Sequence, residues 1–467
     1  MLSLELIDTQ LVLARRNGET AEVVAQAPGM GVLEENTTLL GAEAAARVRV
    51  RPLLAQTNFW RAISTAPLPR PSRAIRTTAD LAFAQASALL GPYRGQEERL
   101  LLAVPAGYSR EQLGLLLGVI NETGVPVAGL VDSALAACSL EEAPARVLHL
   151  ELELHQAVLT VLDYTGGDRA GLKRSRYEIA PKQGVLAIQQ SWMQFIAELC
   201  VRKTRFDPLH DAMSEQRLLD QLPQWLSELA QHEVATLAMQ FGERQLELEI
   251  DRASLIAAAE PHYGELQRLV QGARVAGIPI ALRVSHHLAA LPGLLERLAA
   301  LRDCEVRVLP LGAGALGALQ YETAIRRPAE SLALVYQLPT PRASSSDQAT
   351  TDAFSTPLPL RPTHVLFQGR AWRISDQPLV IGWSVEDRAR ALPLPSAAPG
   401  VSRAHCTLVR RNGAVLVEDH STYGSYVNDE RVSGRTALTV GDRLRLGSPG
   451  VTLELIQLVD DHGAPQD

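Results

Sequence analysis

The stretch VSRAHCTLVRRNGAVLVEDHSTYGSYVN, Val401–Asn428, decides how the C-terminal part of the chain is read. Two short polar loops, Ser402-Arg403-Ala404-His405 and Ser421-Thr422-Tyr423-Gly424, bracket two alternating segments, Cys406–Val409 and Ala414–Val417. Alternation predicts strands, and Arg411-Asn412-Gly413 between them is a hairpin signal.

The stretch resembles a forkhead-associated (FHA) domain, a β-sandwich that reads phosphothreonine. The resemblance rests on Ser402-x-x-His405, on Asp419 followed by Ser421-Thr422-x-Gly424, on Asn428, and on Leu438…Gly441-Asp442…Leu446-Gly447. It implies a domain over residues 363–460. By the same resemblance Ser402 and Arg403 contact the phosphate, Thr422 selects phosphothreonine, and Tyr423 and Asn428 complete the peptide surface. Gly382, His405 and Gly424 hold the loops. Two positions depart from the family pattern. Gly382 is followed by Trp383 where an arginine usually grips the phosphate, and Tyr423 stands where an asparagine is usual. Loss of a charge-assisted contact is worth about 1.5–3 kcal/mol, and Arg403, Arg388 and Arg390 are candidates to replace it.

The chain has 467 residues, enough for two or three domains, and 46% hydrophobic residues, enough for large cores. A net charge of −7 argues against nucleic acid as the main partner. Lysine occurs only at Lys173, Lys182 and Lys203, so arginine supplies nearly all positive charge, the bias of a GC-rich bacterial genome. The four cysteines lie far apart in apolar contexts and read as reduced core residues. The N-terminus MLSLELIDTQ is not a signal peptide, and no apolar run reaches the length of a membrane span. A soluble, cytoplasmic protein is expected.

Residues 1–327 alternate strands and helices, an α/β pattern. Thr77 or Thr78 caps a helix over Thr78–Leu90, and Ser109 caps another over Arg110–Thr123. Two helices are expected on either side of Pro261. Residues 328–362 carry Ser344-Ser345-Ser346, Ala349-Thr350-Thr351 and several prolines, the composition of a flexible linker, with one short apolar segment at Leu332–Leu338. Residues 461–467 form a tail. No repeat of fixed period occurs.

The order of elements in 1–327 resembles the two-lobed actin/Hsp70 ATPase fold. Leu101–Ala106 followed by Ser109-Arg110-Glu111-Gln112 is similar to that family's "TVPA" strand and helix, and Leu291-Pro292-Gly293-Leu294 to its adenosine-loop helix. The nucleotide signals are eroded. Asp8-Thr9-Gln10 keeps an acid but lacks the glycine of the first phosphate hairpin. Glu151-Leu152-Glu153 lacks the Asp-x-Gly-Gly of the second, and Val284-Ser285-His286 replaces the glycine-rich adenosine loop. There is no lysine in the first lobe. Asp8, Thr9, Glu151 and Ser285 therefore mark a degenerate nucleotide site. Asp8 reads equally as a remnant Mg²⁺ ligand and as a turn cap.

Gly312-Ala-Gly-Ala-Leu-Gly317 has dinucleotide spacing but is followed by the linker rather than a strand, so close helix packing is the reading. His286-His287 have no partners at metal-ligand spacing, and no hydrolase, zincin or P-loop motif is present. The expected function is a bacterial, non-catalytic adaptor. Its FHA domain binds a phosphorylated or acidic protein, and its Hsp70-like domain is a platform for a protein complex. No resident metal or catalytic residue is expected, and ATP with Mg²⁺ at most binds weakly. The alternative is a divergent Hsp70-like ATPase or chaperone whose nucleotide state regulates the FHA module.

Overall fold

The structure is a computed structural model that describes residues 1–141, 146–165, 171–241, 244–274, 278–328, 331–339, 362–367, 370–385, 387–395, 400–411, 414–427, 430–432, 434–447 and 450–457. The chain divides into two compact units, Met1–Ser345 and Ser346–Asp467. Asn428, the tail 461–467 and residues 340–361 of the expected linker lie outside the described residues.

The first unit contains two six-stranded sheets. In one, Leu2–Glu5, Leu11–Asn17 and Thr20–Ala27 form an antiparallel meander. Leu100–Val104 then adds parallel to the free side of Leu2–Glu5, and Val127–Asp132 adds parallel beyond it. In the other, Arg146–Leu152, Gln156–Thr165 and Gly171–Pro181 form the meander, and Ile280–Val284 and Cys304–Val308 add in parallel. The two sheets thus share one topology that no sequence period announces. Leu2–Glu5, Leu100–Val104 and Val127–Asp132 are buried at every residue, so both faces are covered; Leu100–Val104 is apolar throughout, while Ser3, Glu5 and Asp132 are buried polar residues.

Helices cover the sheets where caps start them. Thr77 accepts from the Asp80 amide and Asp80 reaches back to Thr77; Ser109 and Gln112 do the same one helix later. The helices Ser133–Cys138 and Ala313–Gln320 follow the last parallel strands of the two sheets and pack on each other. A Cβ on Gly317 would lie 1.9 Å from Ala136 O, so only glycine permits that approach. This is the packing role expected for the Gly312–Gly317 motif.

Two expectations are corrected. One helix, Arg252–Gly272, runs through Pro261 instead of breaking there. Proline removes one internal bond, but Leu255, Ala259, Tyr263 and Leu266 are buried on both sides of it and hold the turns together. Residues 331–339 also depart from the flexible linker expected from residue 328. Leu334–Val335 pairs with Leu130–Val131 of the first sheet, and Gln337–Leu338 with Leu172–Lys173 of the second. Leu338 is fully buried, so this apolar segment belongs to the first unit.

The second unit is a β-sandwich. One sheet runs Arg370–Arg373, His364–Phe367, Val451–Ile456, Arg443–Leu446, Ser425–Val427 and Glu430–Arg431. The other runs Ala391–Pro393, Leu379–Gly382, Cys406–Arg411, Ala414–Asp419 and Arg435–Leu438. Inward residues such as Ile381, Leu408, Val417, Leu444 and Leu453 form its core, alternating with outward ones as a sandwich demands. Cys406–Arg411 and Ala414–Asp419, where two strands are expected, pair antiparallel.

Candidate functional site

The loop Ser402–His405 is built against the end of strand Leu379–Gly382. The His405 amide donates to Ile381 O at 2.7 Å, and the Ser384 amide to Arg403 O at 3.1 Å. A Cβ on Gly382 would lie 2.1 Å from Arg403 O and 2.9 Å from Ala404 Cα, all backbone, so glycine is required for the loop to pass.

The loop Ser421–Gly424 is organised by Asp419. Its Oδ1 accepts from the Ser421 amide at 3.2 Å and from the Ser421 and Ser425 hydroxyls at 2.8 Å each. Burial alone would raise its pKa, but these donors hold it below the ordinary range. Ser421 Oγ in turn accepts from the Gly424 amide at 2.7 Å, and Gly424 adopts φ +84°, which a glycine takes without cost.

His405 joins the two loops. It is fully buried. Its Nδ1 is 3.0 Å from the Ser402 amide and its Nε2 3.1 Å from Gly424 O. An amide can only donate and a carbonyl only accept, so Nδ1 is bare and Nε2 carries the proton. Burial lowers the imidazole pKa, against the Gly424 bond and the Asp419 charge, and keeps the ring neutral. Above this bridge Ser402 Oγ accepts from the Thr422 amide at 3.3 Å. Thr422 and Arg403 are exposed, Tyr423 is 58% exposed, and the Arg403 guanidinium sits over the Trp383 ring at 5.7 Å.

The family model of the FHA domain matches residues 369–447. The C-terminal sandwich carries an FHA domain. No curated protein matches the chain. An FHA domain implies recognition of phosphorylated protein partners.

Within the FHA domain the structure brings Ser402, Arg403, Thr422 and Tyr423 to one end, over His405, Gly424 and Gly382. Arg390 is not among them. Its guanidinium bonds Ser375 Oγ, Gln377 O and Arg373 O, which ties it to the turn before strand Leu379–Gly382. Arg431, which sequence reasoning passed over, lies against the second loop. A Cβ on Gly424 would meet its Nε at 3.0 Å. The signal was the pairing Tyr426↔Arg431, a return strand too short to show a period.

In the first unit, Thr9, Glu151 and Ser285 line one cavity of about 40 Å³, with Glu5, His149, His286, His287 and the segment Leu309–Ala313. Ser285 Oγ bonds Glu151 Oε2 and approaches His149 Nε2 at 3.4 Å. His287 Nε2 donates to Leu152 O at 3.0 Å. Glu5 Oε1 accepts from Ser133 Oγ at 3.0 Å and from the Gly314 amide at 3.2 Å. Burial raises the pKa of Glu5 and, well above the ordinary value, that of Glu151. Asp8 sits apart, capping the Leu154 amide at 2.7 Å. Burial and the neighbouring Glu153 push its pKa to about 7. Among the described residues no group of three or more His, Cys, Asp or Glu is placed to hold a metal ion, and no helix is long and apolar enough to cross a membrane.

Proposed function

We propose that the chain is a recognition adaptor. Its FHA domain binds a phosphothreonine segment of a partner protein, and its N-terminal unit is an actin/Hsp70-type platform without nucleotide chemistry. One observation carries the first part. Ser402 and Thr422, on different loops, are locked side by side at an exposed end by a buried neutral histidine. The Ser402 hydroxyl accepts from the Thr422 amide and can turn its own proton to a phosphate with no chain rearrangement required, the preorganisation that phosphate recognition depends on.

The platform reading draws on the shared topology of the two sheets and on the helix pair between them. What supports leaving nucleotide chemistry out is the cavity lined by Thr9, Glu151 and Ser285. The cavity, about 40 Å³, is far smaller than the roughly 300 Å³ at which ligand pockets start. The Gly314 amide that could face an anion there is also already bonded to Glu5.

The test is binding of phosphothreonine peptides to the full chain. A preference for phosphorylated over unmodified peptide, lost in Ser402→Ala, is expected. Equal binding of both peptide forms by the wild-type chain overturns the reading. Calorimetry with Mg-ATP should give no heat of binding; saturable heat with hydrolysis would refute the platform half.

A further inference from the structure

The site described so far is short of positive charge. A threonine phosphate carries about −1.5 to −2 charges at neutral pH. The Ser402 hydroxyl, the Thr422 hydroxyl and the loop amides are neutral. Arg403 is the one cation on the loops themselves, and its guanidinium already lies over Trp383. Resting on the phosphothreonine reading above, we propose that Arg431 supplies the missing charge-assisted grip on the phosphate.

The geometry is as follows. Arg431 stands on strand Glu430–Arg431, directly across from Tyr426. It is exposed. Its side chain runs back over the second loop. A Cβ on Gly424 would meet Nε at 3.0 Å, and Cζ and Nη2 at 3.5 Å each. The bare face of Gly424 is therefore the floor on which the guanidinium rests, in the loop that carries Thr422 and Tyr423. Gly424 also gives its amide to Ser421 and its carbonyl to His405. One residue thus fixes both the loop conformation and the berth of the arginine.

The other cation in the row is committed elsewhere. Arg445 is paired with Tyr426 from the opposite side, stacks on its ring at 4.1 Å and donates to Gly447 O at 2.8 Å. Tyr426 OH donates to Tyr423 O at 3.4 Å, so the row abuts the loop tip. Of the two arginines flanking Tyr426, Arg431 is the one directed at the loop that carries Thr422.

The experiment measures fluorescence anisotropy of the full chain with two nine-residue peptide mixtures, randomised around a central phosphothreonine or an unmodified threonine. Arg431→Ala should weaken phosphopeptide binding about ten- to a hundredfold, the worth of one charge-assisted contact, and leave binding of the unmodified mixture unchanged. Arg431→Gln keeps the shape without the charge and should fall equally; Arg431→Lys should recover most of the affinity. Arg445→Ala should stay within about twofold of wild type. The wild-type affinity should rise from pH 5.5 to 7.5 as the phosphate gains its second charge near pH 6, and that rise should flatten in Arg431→Gln. Wild-type affinity in Arg431→Ala and Arg431→Gln, alongside a loss in Ser402→Ala, overturns this inference while the phosphothreonine reading stands. Absence of any phosphopeptide preference in the wild-type chain overturns both.

Discussion

Replacing His405 by alanine removes a buried side chain that bonds both recognition loops. Two hydrogen bonds go, from the Ser402 amide at 3.0 Å and to Gly424 O at 3.1 Å. Each is worth about 1 kcal/mol net, and a buried group left without a partner costs about 1–3 kcal/mol. The ring is fully buried, so its removal also leaves a void. We expect a local loss of about 2–4 kcal/mol. Amide hydrogen exchange of the full chain, followed by mass spectrometry, reads this directly. Peptides covering 400–411 and 414–427 should exchange roughly thirty- to several-hundredfold faster, while the strands of the first unit do not change. Phosphopeptide affinity should fall with the loops. The wild-type chain should show a milder form of the effect in acid. The folded pKa of His405 is depressed, so its contribution is complete above the ordinary histidine value of about 6.5 and is lost as pH falls below it. His405→Ala should lack this acid limb. Unchanged exchange and affinity in His405→Ala would show that the loops stand without the bridge, and the argument from preorganisation would fail.

Two further outcomes follow from the same contacts. Gly382→Ala forces a methyl to within 2.1 Å of Arg403 O, so the first loop must shift; stability of the sandwich should drop by about 1–3 kcal/mol and phosphopeptide binding with it, as thermal unfolding and anisotropy would report. A tolerated alanine would mean that Gly382 does not position the loop. Asp8→Asn should stabilise the first unit increasingly with pH. The folded pKa near 7 lies above the unfolded one, so the stability tied to Asp8 is present below about pH 4 and lost on the way to pH 7. Asparagine can still accept from the Leu154 amide but carries no charge, and should gain about 2–4 kcal/mol at pH 8. Burial depresses the buried His149 to about 4, so its term runs the opposite way: it is present above about 6.5 and lost toward pH 4. The comparison must therefore be variant against wild type at each pH. A melting-temperature difference that does not change from pH 5 to 8 would contradict the assignment.

The recognition loops were legible because their chemistry is local. Asp419, Ser421 and Gly424 bond within one turn, and His405 reaches Ser402 three residues away. Helix starts were legible for the same reason, since Thr77 with Asp80 and Ser109 with Gln112 close their own boxes. What stayed hidden depends on pairing between distant segments. Strands of two residues, Leu334–Val335 and Gln337–Leu338, carry no period, and only the sheet edges they meet reveal them. Arg431 escaped notice because its value lies in what it rests on. Pro261 misled because burial of Tyr263 and Leu266 outweighs one missing backbone bond. Among the nucleotide-type positions, sequence reasoning grouped Asp8 with Glu151 and Ser285. The structure joins the last two through a hydrogen bond and sets Asp8 on the Leu154 amide.

The segment from Leu334 to Leu338 works as a strap. Its first pair of residues is stitched to one sheet and its last pair to the other, with Tyr336 between them, whose carbonyl accepts from the Arg174 amide at 2.9 Å and whose ring lies under the Arg174 guanidinium. The same arginine reaches across to Asp132 at 2.6 Å. A scissoring motion of the two halves would have to peel one end of this strap and break that ion pair at once. The chain therefore leaves the first unit at a point where both halves are already fastened. Force applied past Leu338 would first have to part the pairing of Gln337–Leu338 with Leu172–Lys173.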